Sequence, residues 1–256
     1  MEFILQIIRR DTVDSTNSEV ARLAQQGAQA GTCVVADQQT AGRGRLQRQW
    51  ISPHGSGIYF SVLLKPEFAS DRWPLLTLMA AIAVHDTLSE ICALEIDIKW
   101  PNDVLTSEKK LCGILAETID TKDGRAVVLG IGINLKKTAF PPEIAETAIS
   151  IEDVSTNFDR EVILQRLVKN LGRYYKLLNA DDGNAQIVDA WSSRSSYAYG
   201  KAIRVTAGEE IIEGLTRGLE GDGALRVETD SGEIRIVRAG DVVAVRPDER
   251  GTEVTS

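Results

Sequence analysis

The sequence predicts an α+β fold: a mixed β-sheet domain flanked by helices, followed by a small all-β barrel. Three observations carry this. Strand-like and helical-period segments are interleaved through residues 1–193. Residues 159–178 set Val162, Leu164, Leu167, Val168, Leu171, Tyr174, Tyr175 and Leu178 near the spacing of one helix face. Beyond residue 192 come five short alternating segments in about fifty residues, the signature of a small barrel.

In order, the apolar N-terminus is expected to form a first strand. Residues 12–17 lead into a helix, with Thr16 and Glu19 in capping-box spacing, Val20, Leu23 and Ala24 on its apolar face, and Gly27 closing it. Residues 32–38 read as a strand, and 39–57, rich in Gly, Arg, Ser and Gln, as a long loop. A strand at 58–64 precedes a helix from Pro74 to about Leu88. Strands follow at 96–100, 111–119 and 125–135, the last two joined by a turn at Lys122-Asp123-Gly124. After the helix at 159–178 comes a shorter one at 185–191. Residues 192–197 read as a linker, and the barrel strands fall at 202–206, 211–219, 224–229, 233–238 and 242–246. The tail 248–256 is expected to be disordered.

Composition narrows the function. The 256 residues are 43% hydrophobic and 26% charged, which suits a folded globular chain. The net charge of −8 disfavours specific DNA binding, and residues 197–256 carry 8 basic against 12 acidic residues. The apolar run 75–84 is too short to span a bilayer, so no membrane role is expected. Three separated cysteines and two histidines argue for a reducing cytoplasmic setting and against a disulfide framework or a zinc site.

Several motifs carry chemistry. Gly42-Arg43-Gly44-Arg45, with Arg48 and Trp50 behind it, lies in a stretch from 38 to 66 holding four basic residues and no acidic one. Glycine lets backbone approach a ligand, and arginine supplies fixed donors for carboxylate or phosphate. Anion binding and a solvated loop are the two readings. In Lys99-Trp100-Pro101-Asn102-Asp103, Pro101 ends a strand and places Asn102 and Asp103 at a strand-to-loop corner. Lys110 opens the next strand, with Lys109 on its opposite face. Gly130-Ile131-Gly132-Ile133-Asn134 is a glycine-spaced strand, suited to close backbone packing or to a flat ligand. Ser15-Thr16-Asn17 reads as a helix cap or as a polar set that recognises a heterocycle.

Together and in this order, these motifs resemble those of the biotin–protein ligases, over about residues 12–246. The carrying segments are Asp14–Asn17, Gln39–Arg45 with Arg48 and Trp50, Lys99–Asp103, Lys110–Ile114 and Gly130–Asn134. The resemblance implies a catalytic domain at 1–193 and a barrel domain at 197–247, without the N-terminal DNA-binding domain of some members. It implies activation of biotin by ATP with Mg²⁺, giving biotinyl-5′-AMP and pyrophosphate. Biotin then passes to a lysine of a biotin carboxyl carrier protein domain. It assigns biotin binding to Ser15, Thr16, Asn17, Gln39, Arg43, Gly44, Arg45, Lys110 and Gly113. Nucleotide binding falls to Arg45, Arg48, Trp50, Asn102, Lys110 and Asn134, with Trp100 shaping the pockets. Arg45, Lys110 and Asp103 are the catalytic candidates, and Asp103 would orient or deprotonate the acceptor amine, hold the metal, or only form the turn. The metal ligands and the oligomeric state, a homodimer included, are left open. The alternatives are a lipoate–protein ligase of the same fold and a non-enzymatic binding module.

Overall fold

The computed structural model describes residues 5–137 and 140–245. Seven strands form the first sheet: β1 (Gln6–Val13), β2 (Thr32–Gln39), β3 (Gly57–Leu64), β4 (Asp97–Lys99), β5 (Asp103–Thr106), β6 (Lys109–Thr121) and β7 (Gly124–Asn134). Their spatial order is β1-β2-β3-β7-β6-β5-β4, with only β1 and β2 parallel, so the sheet is mixed as expected.

Alternation along β3 shows how the two faces divide. Ile58, Phe60, Val62 and Leu64 pack into the main core, whereas Leu63 joins a smaller cluster with Val20 and Ala24 of α1 (Thr16–Gln25). The main core lies against α2 (Leu75–Cys92), α5 (Arg160–Leu178) and α6 (Gly183–Ser192). Helix α2 is apolar nearly all round because it is enclosed on several sides: by the sheet, by α5 and α6, and by Gly223, which approaches Leu75 and Leu78. The stretch Ser70–Cys92 is long and apolar enough to cross a membrane by composition, but 67% of its apolar window is buried within the protein. It extends beyond the apolar run read in the sequence. Two short helices, α3 (Pro142–Ala145) and α4 (Ile151–Val154), were not expected.

The α1 cap differs from the expected one. Ser15 is the N-cap, Thr16 turns its hydroxyl to Gln39 and Ser61, and Glu19 pairs with Arg10 and Arg22. No Thr16–Glu19 capping box forms because the helix is capped one residue earlier, at Ser15, and both side chains are engaged with other partners. At α5 the Asp159 carboxylate accepts from the Glu161 and Val162 amides.

The C-terminal strands are β8 (Tyr199–Ala207), β9 (Glu210–Leu219), β10 (Leu225–Glu228), β11 (Ile234–Val237) and β12 (Asp241–Ala244). They form an antiparallel sheet ordered β11-β10-β9-β8-β12. Among the described residues no ladder joins β11 to β12, so the expected barrel is a five-stranded open sheet. The tail 248–256 lies outside the described residues.

Candidate active site

One cavity of about 420 Å³ opens between the α1 face of the first sheet, the loop after β2, and the edge of the second sheet. Its floor is the β6–β7 ladder, in which Gly113 pairs with Gly132 and Leu115 with Gly130. The three glycines leave this floor without side chains. A Cβ at Gly130 would come within 2.3 Å of Asn17 Oδ1. One at Gly132 would lie 2.4 Å from the Trp50 indole nitrogen, and one at Gly113 2.9 Å from the Trp50 ring. Asn17 and Trp50 therefore rest directly on backbone, and only glycine allows it.

The Asn17 end is polar and almost fully bonded internally. Thr16 donates to Gln39 Oε1 through its amide (2.9 Å) and its hydroxyl (3.2 Å). Gln39 Nε2 in turn donates to Ser52 Oγ at 2.8 Å. Ser61 Oγ lies 2.7 Å from Thr16 Oγ1 and 2.6 Å from Asn17 Oδ1. Asn17 Nδ2 donates to Glu117 Oε2 at 2.7 Å and to the Leu115 carbonyl at 3.4 Å. Both N–H groups of Asn17 are thus committed to protein. Its Oδ1, with one lone pair on Ser61, has acceptor capacity left for a ligand.

Farther along the floor the cavity becomes cationic. Lys110 Nζ lies 5.6 Å from the centre of the Trp50 ring and 2.6 Å from Asp103 Oδ1. Lys99 Nζ is 3.9 Å from Asp103 Oδ2. Burial holds the Lys99 ammonium below the ordinary lysine pKa, with Asp103 partly opposing that shift. The expected strand-to-loop corner is a tight hairpin: Lys99 of β4 is the cross-strand partner of Asp103 of β5. Pro101 occupies the turn, so pairing resumes within three residues instead of ending.

Each of the three loop arginines already has protein partners. Arg43 donates to Ser18 (2.6 Å) and Glu117 (2.7 Å). Arg45 Nη1 donates to Asn102 Oδ1 and to the Gly240 carbonyl, both at 3.1 Å. Arg48 pairs with Asp241 at the start of β12. The Gly44 amide donates to the Arg48 carbonyl at 2.7 Å, which folds the loop back on itself. Within this fold Leu46 and Gln47 hold positive φ angles of 53° and 60°, and Leu46 is 68% exposed. Two successive non-glycine residues in the left-handed region mark a strained turn at the mouth of the cavity.

Every site candidate from the sequence except Trp100 lines this one cavity: Ser15, Thr16, Asn17, Gln39, Arg43, Gly44, Arg45, Arg48, Trp50, Asn102, Asp103, Lys110, Gly113 and Asn134. Asn134 sits at its buried wall, donating to the Ile149 carbonyl at 3.1 Å. The Trp100 side chain is buried, donates to the Gly223 carbonyl at 3.0 Å, and faces a second cleft of about 320 Å³. Sequence reasoning missed Ser61, Glu117 and Asp241, and gave Lys99, although part of a motif, no role of its own. Ser61 was detectable as the one polar residue inside the apolar strand β3. Glu117 sits in a regularly alternating strand and Asp241 in the distant second sheet, and neither carries a local signal.

The fold and cavity define a small-molecule ligase-type site, with a flat polar pocket at one end and clustered cations at the other. Residues 10–134 match the biotin/lipoate A/B protein ligase family, and residues 199–244 match the biotin protein ligase C-terminal domain. The chain belongs to the biotin protein ligases. It is 35% identical over 237 residues to the bifunctional ligase/repressor BirA of Bacillus subtilis, spanning 91% of this chain and 72% of that protein. It is 34% identical to the biotin–[acetyl-CoA-carboxylase] ligase of Mycobacterium tuberculosis, over 91% of this chain and 86% of the relative. The biotin protein ligase of Aquifex aeolicus, solved in complex with biotin and ATP, superposes with a TM-score of 0.81 at 32% identity, covering 94% of this chain and 99% of the other.

Proposed function

We propose that this chain activates biotin with ATP and transfers it to a lysine of a biotin carboxyl carrier protein domain. The observation that carries this reading is the glycine floor between Asn17 and Lys110. It suits the planar ureido ring of a bicyclic head at the Asn17 end and an anionic group at the lysine–arginine end. The acceptor left on Asn17 favours a ligand with N–H donors, which the ureido ring of biotin has and the dithiolane of lipoate lacks. That observation separates biotin from lipoate within the shared fold.

In the first step a biotin carboxylate oxygen attacks the α-phosphorus of ATP and pyrophosphate leaves. Two anions must meet, so the site needs fixed cations. Arg45 and Lys110 would hold the carboxylate and the phosphoryl oxygens, with Arg48, Trp50, Asn102 and Asn134 around the nucleotide. Asp103 is already paired with Lys110 and Lys99, which makes it a poor resident ligand for a free metal ion. Mg²⁺ would enter with ATP as part of the substrate and add charge neutralisation there.

In the second step the acceptor amine attacks the anhydride carbonyl, AMP leaves, and the amine gives up a proton. An unperturbed lysine has a pKa of about 10.4 and is mostly protonated at neutral pH. Of the carboxylates lining the cavity, Asp103 is the one beside Lys110 and would orient the amine or accept its proton. Residues 1–193 would hold both steps, and the second sheet would secure the loop through Gly240 and Asp241. Net charge −8 disfavours specific DNA binding, and the three separated cysteines suit a cytoplasmic enzyme. Exchange of labelled pyrophosphate into ATP tests the first step. It should depend on biotin and not respond to lipoate, and exchange supported equally by lipoate would overturn the biotin assignment.

A further inference from the structure

We infer that Glu117 is a positioning residue that sets specificity: it fixes the Asn17 side-chain amide so that the ligand meets an acceptor. The inference rests on the biotin reading above and extends it to a residue outside the cavity lining. Glu117 projects from β6 toward α1, and one oxygen, Oε2, receives two hydrogen bonds. One comes from Asn17 Nδ2 at 2.7 Å and the other from Arg43 Nη2 at 2.7 Å. Arg43 also reaches Ser18, next to Asn17 on α1, at 2.6 Å. A single carboxylate therefore joins three elements: the sheet, the first turn of α1, and the glycine–arginine loop.

A primary amide has two nearly isosteric orientations, and its neighbours choose between them. Here the choice is forced. A carboxylate accepts and does not donate, so Asn17 must turn Nδ2 toward Glu117 and Oδ1 toward Ser61 and Gly130. The Leu115 carbonyl, also an acceptor, selects the same orientation. Without the carboxylate the preference weakens and the amide can present N–H groups to a ligand that itself brings N–H groups. Donor facing donor leaves both unpaired, which is costly in a closed pocket. Arg43 would be released by the same change, loosening the loop at the polar end of the site.

The test is calorimetric titration of the full chain with biotin, with biotin methylated at a ureido nitrogen, and with ATP. Wild type, Glu117→Ala and Glu117→Gln are compared. Glu117→Ala should weaken biotin by about 10-fold or more, with Glu117→Gln intermediate and ATP affinity changed by less than about 2-fold. The penalty for methylating the ureido nitrogen should shrink in Glu117→Ala, since the acceptor it spoils is no longer held in place. A general structural role would instead weaken biotin and its methylated form equally, and that result overturns the inference. Unchanged biotin affinity in both variants overturns it too. If Glu117→Ala does not fold, the near-isosteric Glu117→Gln carries the same comparison. Failure of the wild type to bind biotin would overturn the underlying functional reading, and this inference with it.

Discussion

Lys110 Nζ and Asp103 Oδ1 are 2.6 Å apart on adjacent strands of one sheet edge, with Lys99 on the other oxygen of the same carboxylate. The pairing joins the cation proposed for the first chemical step to the carboxylate proposed for the second. A substrate anion arriving at Lys110 competes with Asp103 for that ammonium. Binding the adenylate would thus free Asp103 to meet the incoming amine, in the order the two steps require.

Variants of the pair should separate the steps. Lys110→Ala should slow biotin-dependent pyrophosphate release by roughly 10²–10³, the usual loss for one group that stabilises transition-state charge. Lys109→Ala should leave it near wild type, since Lys109 is exposed outside the cavity lining. Asp103→Asn should slow transfer to the acceptor by about 10²–10⁴ while sparing adenylate formation. Single-turnover measurements of the two half-reactions check all three.

Arg45→Gly should release biotinyl-5′-AMP into solution. A charge-assisted hydrogen bond is worth about 1.5–3 kcal/mol, so the dissociation rate should rise by roughly 10–150-fold. The variant also loses the bonds to Asn102 and Gly240, so the loop loses an anchor on the second sheet. An unchanged dissociation rate in rapid dilution would refute this role.

Trypsin cleavage after Arg43, Arg45 and Arg48 reports the loop directly. Mutual repulsion of these arginines would keep the ligand-free loop open, but the structure pairs them with Glu117, Gly240 and Asp241. Asp241→Asn should therefore increase cleavage at Arg48 several-fold. Biotin with ATP should suppress cleavage in both proteins, because ligand lowers the open population. Equal rates with and without ligand would mean that the loop does not close over the site.

Away from the site, Asp86 predicts acid sensitivity. Burial would raise its pKa, but hydrogen bonds from His85, Arg194 and Tyr174 outweigh that and hold the carboxyl well below its ordinary value of 3.8. The clamp ties α2 to α5 and to the chain after α6. Because the folded-state pKa is depressed, its contribution is complete above the unfolded value and fades as pH falls below about 4. Asp86→Asn should cost about 1–3 kcal/mol at pH 7, and the gap in melting temperature from wild type should narrow at pH 3. A gap independent of pH would contradict the assignment.

Much of the site was legible because its motifs are local. Glycine spacing in β7, the arginines of the loop and the Lys99–Asp103 segment each advertise themselves within a few residues. The two-sheet plan was legible through period and turn chemistry. The missed features depend on distance in sequence. The β5 strand is short and hidden behind Pro101, and its pairing with β4 is set by the tertiary hairpin. Barrel closure cannot be read from strand count, since it depends on whether the edge strands meet. Asp241 and Glu117 reach the loop across 193 and 74 residues of sequence, and only folding shows their partners.

The central claim is tested most directly by the intact mass of a biotin carboxyl carrier domain incubated with this chain, MgATP, and either biotin or lipoate. The account predicts addition of one biotinyl group at a single lysine, absent without ATP, and no lipoyl addition under the same conditions. Lipoyl addition with biotin ignored, or no ATP-dependent modification by either acid, would contradict it.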